Sequence, residues 1–433
     1  MYPLDSIYQH YLSCHIICTD TRNISPGCLF FALKGDNFDA NVFARNALNM
    51  GAAYVIIDNP AYQYDDRCLL VEDVLTTLQE LAKYHRSQLR IPVIGLTGSN
   101  GKTTTKELIN AVLSEKYRTF ATKGNLNNHI GVPLSILSIK EDIEIAVIEM
   151  GANHQKEIEF LCSIAQPTHG LITNIGMAHL DGFGGFEGVK KGKAELFQYL
   201  KKESGTAFIN RDNPYIMEMS VTTGLDHLVY YGTEGLNFIT GQLLTSDPTL
   251  SLSWKGRDDS FLVSTHLTGV YNFENILAAI CTGAFFNLTA DQINKGLEGY
   301  FPNNNRSQLT KTETNTVICD FYNANPSSMS AALKNLTSLA AARKVAVIGD
   351  MFELGAEAEQ QHQEIAALAE NSGLDTLILI GKHFYALKDS YKGEFFNTPL
   401  EAAEWLEANP VKDSLVLLKG SRGMALEQLL PYL

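Results

Sequence analysis

Residues 91–105 read Ile91-Pro92-Val93-Ile94-Gly95-Leu96-Thr97-Gly98-Ser99-Asn100-Gly101-Lys102-Thr103-Thr104-Thr105. An apolar β-branched run enters a glycine turn, and Leu108, Ile109, Val112 and Leu113 follow at one-face helical spacing. Strand, glycine loop, Lys-Thr and helix is the layout of a phosphate-binding loop. Gly98 and Gly101 allow a tight turn whose N–H groups face phosphate oxygens. A helix opening near Lys102 adds free N–H groups and a positive dipole end. Lys102 is placed to neutralise β- and γ-phosphate charge, and the Thr103 hydroxyl to bind Mg²⁺. The generic pattern wants glycine at 96, where Leu96 stands with Gly95 one step earlier. A plain glycine turn remains the bland alternative, and Gly-Lys-Thr at a strand–helix junction outweighs it.

At 433 residues the chain exceeds one ordinary core, so two or three domains are expected. Apolar content of 45% with 19% charged residues describes a folded globular chain. A net charge of −14 argues against nucleic acid or an anionic membrane as partner. Seven scattered cysteines, an odd number, read as reduced thiols in a cytoplasmic protein. Cys14, His15 and Cys18 have no second ligand pair at zinc spacing, so core cysteines are the better reading. The amino terminus lacks a signal-peptide pattern, and no apolar run reaches membrane-spanning length.

Three stretches of strand–helix alternation suit an α/β protein with boundaries at 1–88, 89–302 and 303–433. In the first, Leu29–Leu33 is a strand ended by Lys34-Gly35-Asp36. Asp20-Thr21-Arg22 lies in a loop before it, where Arg22 offers a guanidinium to a phosphate or simply faces water. Phe43–Met50 and Val74–Arg86 read as helices, and Ala53–Ile57 as a strand. In the second, Ile143–Ile148 and Gly170–Ile175 are apolar runs suited to a mostly parallel sheet covered on both faces. Leu250–Thr268 reads as an antiparallel pair turning at Lys255-Gly256-Arg257-Asp258, and Asn272–Phe286 as a helix. In the third, Val317–Asp320, Val345–Asp350, Leu377–Gly381 and Leu415–Gly420 are short strands between helices. They form a dinucleotide-fold-like unit without its glycine fingerprint.

Open parallel sheets hold ligands beyond the carboxyl ends of their strands. Glu149, closing the run Ile143–Ile148, and His179, after Gly170–Ile175, fall where phosphates held by Lys102 would lie. A carboxylate ending an apolar strand either faces water or receives a cation, and the loop in the same sheet favours Mg²⁺. His179 by itself reads as structural, and its position favours metal ligation. Lys190, Lys191 and Lys193 read from composition as a solvated basic face. Asn125, Asn127 and Asn128 form an amide cluster suited to sugar and phosphate, and equally to an ordinary loop.

Together these residues resemble the Mur ligase family, ATP-dependent enzymes that extend the peptidoglycan precursor peptide. The stretches that carry the resemblance span most of the chain. They are Thr97–Thr104, Gly124–Pro133, Val147–His154, Asp320–Pro326, Gly349–Gly355 and Lys419–Arg422. The branch resembled best joins D-alanyl-D-alanine to the UDP-N-acetylmuramoyl-tripeptide. The resemblance implies an N-terminal UDP-sugar domain, a central ATPase domain and a C-terminal Rossmann-like domain. Thr21, Arg22 and Gly35 match the uridine-nucleotide region, and Asn125, Asn127, Asn128, Tyr322, Asn323 and Asn325 are expected against substrate. Gly98, Ser99, Asn100, Gly101, Lys102, Thr103 and Thr104 would hold ATP phosphates, with Thr103 and Glu149 on a first Mg²⁺. His179 and Lys193 align with ligands of a second Mg²⁺, the lysine being carbamylated so that a repelling ammonium becomes an acceptor carboxylate. Asn272 matches an adenine contact, and Arg306 and Asp320 match residues that close on the nucleotide. Tyr271 and Asn41 stand where the family often has histidine, and Arg306 follows Asn305 instead of glycine. A monomer is expected.

Rival readings within the class are a ligase adding the third amino acid or a folylpolyglutamate-type ligase. The former usually carries Asp-Asn-Pro-Arg, whereas Asp212-Asn213-Pro214 is followed by Tyr215 and sits in the central stretch. A nucleotide-driven ATPase without acceptor substrate is the rival from another class.

Overall fold

The strand Val93–Thr97 is buried at all five positions and lies inside a nine-stranded sheet. Its parallel neighbours are Ile145–Glu149 and His169–Ile172. Strand alternation sends successive side chains to opposite faces. Val93, Ala146, Ile148 and Ile172 enter one apolar core, and Ile94, Leu96, Val147 and Leu171 enter another. Helices on both sides explain why these strands read as unbroken apolar runs. The computed structural model describes residues 2–14, 16–256 and 259–433. His15, between the two early cysteines, and Arg257 and Asp258 of the expected turn therefore lie outside the described residues.

The helix Lys102–Leu113 follows the loop and packs against Asn272–Phe285. Leu108, Ile109, Val112 and Leu113 are completely buried, each such side chain contributing about 1.5–3 kcal/mol of transfer free energy. The far side of the sheet ends in the antiparallel strands Ser251–Lys255 and Ser260–Ser264, as expected.

The first stretch forms a four-stranded parallel sheet in the order Ile17–Cys18, Leu29–Phe31, Tyr54–Ile57, Cys68–Leu70. Three details differ from the expectation. The helix Leu4–Cys14 and the strand Ile17–Cys18 precede Leu29–Phe31, so Asp20-Thr21-Arg22 lies between two strands. Lys34–Gly35 is itself a strand, paired with Phe38–Asp39. Asn41 is buried and donates to Asp39 and Asp58, pinning that hairpin's exit. The helix Val74–Gln88 joins the core of the first sheet to that of the central one.

The third stretch is a six-stranded sheet, parallel except for Gln308–Lys311 at one edge. Its four anticipated strands are present. Gln308–Lys311 and Glu394–Phe396 extend it at either side.

Candidate active site

The phosphate loop is shaped by what lies behind it. Gly98 has φ +147°, and a Cβ there would overlap the Thr173 hydroxyl. Gly101 has φ +76°, and a Cβ would lie 2.8 Å from Asn275 Oδ1. Both glycines are thus required by backbone and by space. Residues 173–176 brace the turn: Ser99 N–H donates to Asn174 O at 3.0 Å, and Asn100 N–H to Asn174 Oδ1 at 2.9 Å. Thr173 Oγ1 donates to Asn100 O at 2.6 Å.

Lys102 is the first residue of its helix, and its ammonium folds back onto Gly98 O at 2.7 Å and Ser99 O at 3.2 Å. Enclosure lowers its pKa to about 8, with Glu149 opposing that fall and Arg306 adding to it. Bound phosphate oxygens would replace the two loop carbonyls as its partners.

Glu149 ends the neighbouring strand, in register with Leu96, and is 1% exposed. Its Oε1 accepts from Thr103 Oγ1 at 3.2 Å and from Asn127 Nδ2 at 2.9 Å. Its Oε2 is buried without any partner. A buried carboxylate oxygen with no donor is costly unless a cation takes it. Beside a hydroxyl and a phosphate loop, that oxygen fits Mg²⁺. Among the described residues no group of three His, Cys, Asp or Glu forms a self-sufficient metal site. Triphosphate oxygens would therefore complete the coordination, as is usual for Mg²⁺.

His179 and Lys193 form a second polar group. The strand expected to run to Ile175 stops at Ile172, and His179 stands seven residues beyond it at the start of Leu180–Phe183, with φ +53°. Its Nδ1 faces the Glu353 carboxylate from the third sheet's unit. Burial lowers the His179 pKa, and Glu353 works against this. Lys193 corrects the solvated-face reading. It is 1% exposed on Phe186–Lys202, with its amine 3.3 Å from Ala152 O and 5.0 Å from the centre of the Phe183 ring. Burial first, then Lys102, push its pKa well below the ordinary lysine value. A neutral buried amine is the form that reacts with CO₂, so this position fits carbamylation. Of the other two lysines only Lys191 is exposed; the Lys190 side chain is largely covered and pairs with Glu218 at 3.0 Å.

A cavity of about 630 Å³ joins the central and third units. Ser99, Asn100, Gly101, Lys102, Thr104, Glu149 and His179 line it from the central sheet. Asn125, Asn127 and Asn128 line a second wall, and Asn272 a third. Arg306, Asp320, Tyr322, Asn323 and Asn325 enter from the third unit. Arg306 lies 3.9 Å over the Tyr322 ring, and Asp320 binds Lys419 at 2.7 Å. Asn272 is already engaged, donating to Thr268 O and accepting from Asn275. Gly98, Thr103 and Lys193 are not in the lining.

Thr21, Arg22 and Gly35 are outside this cavity. Arg22 is largely exposed and paired with Asp20 at 2.6 Å. The rival signature at Asp212-Asn213-Pro214 has structural work: Asn213 caps Pro214–Thr223, and Asp212 accepts from Thr233 N–H at 2.7 Å. Neither residue lines the cavity.

Several lining residues had not been singled out from sequence. Asn174 holds the loop, and Asn275 accepts from Thr105 Oγ1 in the first turn of the following helix. Tyr271, read from sequence only as a departure from the family pattern, shares a hydrogen bond with Ser307 at 2.8 Å across the two units. Glu353 and Lys419 sit in stretches that carried the family resemblance, which was the available signal. Direct bonds fix the units together at the cavity's rim. Asn325 Nδ2 donates to Asn100 Oδ1 at 2.7 Å, and Met177 N–H donates to Ser327 Oγ at 3.1 Å.

A phosphate-loop sheet flanked by two α/β units, with the cavity shared between the last two, defines a nucleotide-using enzyme class. The chain belongs to the Mur ligase family. Residues 13–90 match the "Mur ligase family, catalytic domain", 96–283 the "Mur ligase middle domain" and 305–422 the "Mur ligase, glutamate ligase domain". The UDP-N-acetylmuramoyl-tripeptide–D-alanyl-D-alanine ligase of Bacillus subtilis is 36% identical, over 96% of this chain and 92% of that protein. The crystal structure of MurF from Acinetobacter baumannii is similar with a TM-score of 0.86 and 31% identity, covering 96% of this chain and 92% of that one. The MurF ligase of Thermotoga maritima in complex with ADP gives a TM-score of 0.85 and 28% identity, covering 97% of both chains.

Proposed function

We infer that this chain is an ATP-dependent ligase joining D-alanyl-D-alanine to UDP-N-acetylmuramoyl-tripeptide, which makes the pentapeptide precursor of peptidoglycan with ADP and phosphate. The observation that carries this is the meeting of Lys102 and the half-unpartnered Glu149 at one cavity, with Thr103 bonded to Glu149 just behind its wall and Arg306 and Asp320 closing it from a separate unit. Relatives over nearly the whole chain carry that activity in their names.

The chemistry follows from charge. A tripeptide carboxylate oxygen attacks the γ-phosphorus of ATP, and ADP leaves. The amine nitrogen of D-alanyl-D-alanine then attacks the acyl carbon of the acyl phosphate, loses its proton, and inorganic phosphate departs. Lys102 and the loop N–H groups relieve the repulsion between two anions in the first step. Bound Mg²⁺ would supply further neutralisation of the phosphate oxygens. Thr103 and Glu149 would hold one ion, and His179 with carbamylated Lys193 a second. Asn272 takes the adenine, and Arg306 and Asp320 close on the ATP phosphates and ribose, while the Asn125–Asn128 wall and Tyr322, Asn323 and Asn325 face the peptide substrates. The third unit excludes water from an intermediate that water would destroy.

Residues 1–88 take the UDP-sugar through Thr21, Arg22 and Gly35, 89–302 take ATP, and 303–433 take ATP and the dipeptide. The chain is proposed to work as a monomer. Seven free thiols accord with a cytoplasmic setting, and no helix among the described residues is long and apolar enough to cross a membrane. Phosphate release with Mg-ATP and the UDP-tripeptide tests the reading across D-alanyl-D-alanine, glutamate, lysine and diaminopimelate. Release driven by D-alanyl-D-alanine is expected. Release driven best by a single amino acid would favour the rival ligases, and release without any amine a plain ATPase.

A further inference from the structure

Lys106 lies one helical turn beyond Lys102 on Lys102–Leu113, outside the cavity lining and 0% exposed. Its ammonium donates to Thr122 O at 2.5 Å and meets Glu107 Oε1 at 2.8 Å. Burying an ammonium costs several kcal/mol in lost hydration, and an apolar side chain would fill the space without that cost. The charge therefore calls for a purpose besides packing.

Thr122 is the first residue after Thr119–Ala121 and opens the asparagine-rich segment that leads to Gly131–Leu137. Its hydroxyl accepts the Glu149 N–H at 3.0 Å, and its own N–H donates to Val147 O at 3.0 Å. Further along, Asn127 Nδ2 donates to Glu149 Oε1 at 2.9 Å and Asn127 O accepts from Gly151 N–H at 2.7 Å. Glu149 is thus gripped on one side by Thr103, from the helix itself. On the other it is gripped by a segment whose first carbonyl is tied to that helix by Lys106.

We propose that Lys106 is a positioning residue for the reaction. Acting through Thr122 and Asn127, it sets where the free Oε2 of Glu149 is presented to the divalent cation. The proposal rests on the reading of Glu149 as a metal ligand. Lys106 clamps the phosphate helix to the carboxylate's supporting segment, so metal and phosphate sites keep one spacing. A lysine that served only packing would affect stability and leave metal binding untouched.

The test is Mn²⁺ binding, followed by electron paramagnetic resonance, to the full chain with the non-hydrolysable ATP analogue AMPPNP. Binding of AMPPNP in a chelator is measured beside it. In Lys106→Met that still melts cooperatively, Mn²⁺ affinity is expected to fall about 10–100-fold, the range for outer partners of metal ligands. Metal-free AMPPNP affinity should stay at the parent value. Thr122→Val keeps the carbonyl that Lys106 holds and removes only the hydroxyl, so it should show a smaller fall in the same direction. Parental Mn²⁺ affinity in folded Lys106→Met would overturn the proposal, as would an equal loss of metal-free nucleotide binding. If Lys106→Met does not fold, Thr122→Val decides: a selective Mn²⁺ defect supports the relay and parental affinity overturns it. Glu149→Gln in parallel separates the two levels, since parental Mn²⁺ affinity there removes the metal reading itself.

Discussion

Thr103 Oγ1 donates to Glu149 Oε1 at 3.2 Å, a bond between the first turn of one helix and the last residue of the adjacent strand. It ties the phosphate loop to a buried carboxylate whose second oxygen has no protein partner. Such a geometry is costly when empty and favourable when a cation bridges both elements.

Glu149→Gln should therefore separate stability from activity. Removing an unpaired buried charge leaves the metal-free melting temperature at or above the parent's. Amide formation should fall by about 10²-fold or more, the scale of losing a key electrostatic contact in a transition state. Thermal melting in chelator and phosphate-release kinetics check the two halves. A variant as active as the parent would remove Glu149 from the chemistry.

Lys102→Ala should keep the fold and lose turnover. The Lys102 ammonium now satisfies itself on Gly98 O and Ser99 O, contacts that shape the loop little beside the bonds from Asn174 and Thr173. Circular dichroism and melting should match the parent while phosphate release disappears. Retained activity would contradict the phosphate-loop assignment.

Lys193→Ala should be inactive and partly restored by a short carboxylic acid that occupies the vacated space and supplies the missing carboxylate. The test is activity titrated with formate, acetate and propionate. No recovery with any of them would count against a carbamate at Lys193.

Acid stability should depend on His169. Burial among Phe208, Phe285 and Phe286 holds its pKa down at about 4, against about 6.5 for an exposed histidine. Between those values the unfolded chain binds a proton that the folded chain refuses, so stability falls as pH drops from about 6.5 and this loss levels off near 4. Above about 6.5 the group contributes no pH dependence. His169→Phe should show a smaller fall in melting temperature between neutral and mildly acid pH than the parent. Identical slopes would place the acid sensitivity elsewhere.

The loop at 98–104 was legible because its chemistry is local: glycine, lysine and threonine carry their meaning in adjacent positions. The alternating cores of Val93–Thr97 and Ile145–Glu149 were legible from apolar runs. Lys193 was not, because a lysine amid Lys190 and Lys191 is distinguished only by the helix face that meets Ala152 and Phe183. The contact between His179 and Glu353 joins two left-handed residues from different units, and neither conformation announces itself in sequence. The strand Ile17–Cys18 escaped because two residues give no periodicity to read. Lys106 escaped because its burial follows from docking beneath Thr122, a tertiary fact.

The most direct test of the account is a crystal structure with Mg²⁺ and a non-hydrolysable ATP analogue. The account predicts the triphosphate on the loop at residues 98–104. The Lys102 ammonium should leave Gly98 O for the β- and γ-phosphate oxygens, and an Mg²⁺ should touch Thr103 Oγ1 and Glu149 Oε2. A triphosphate lying elsewhere in the chain, with Lys102 still folded on Gly98 O, would contradict it.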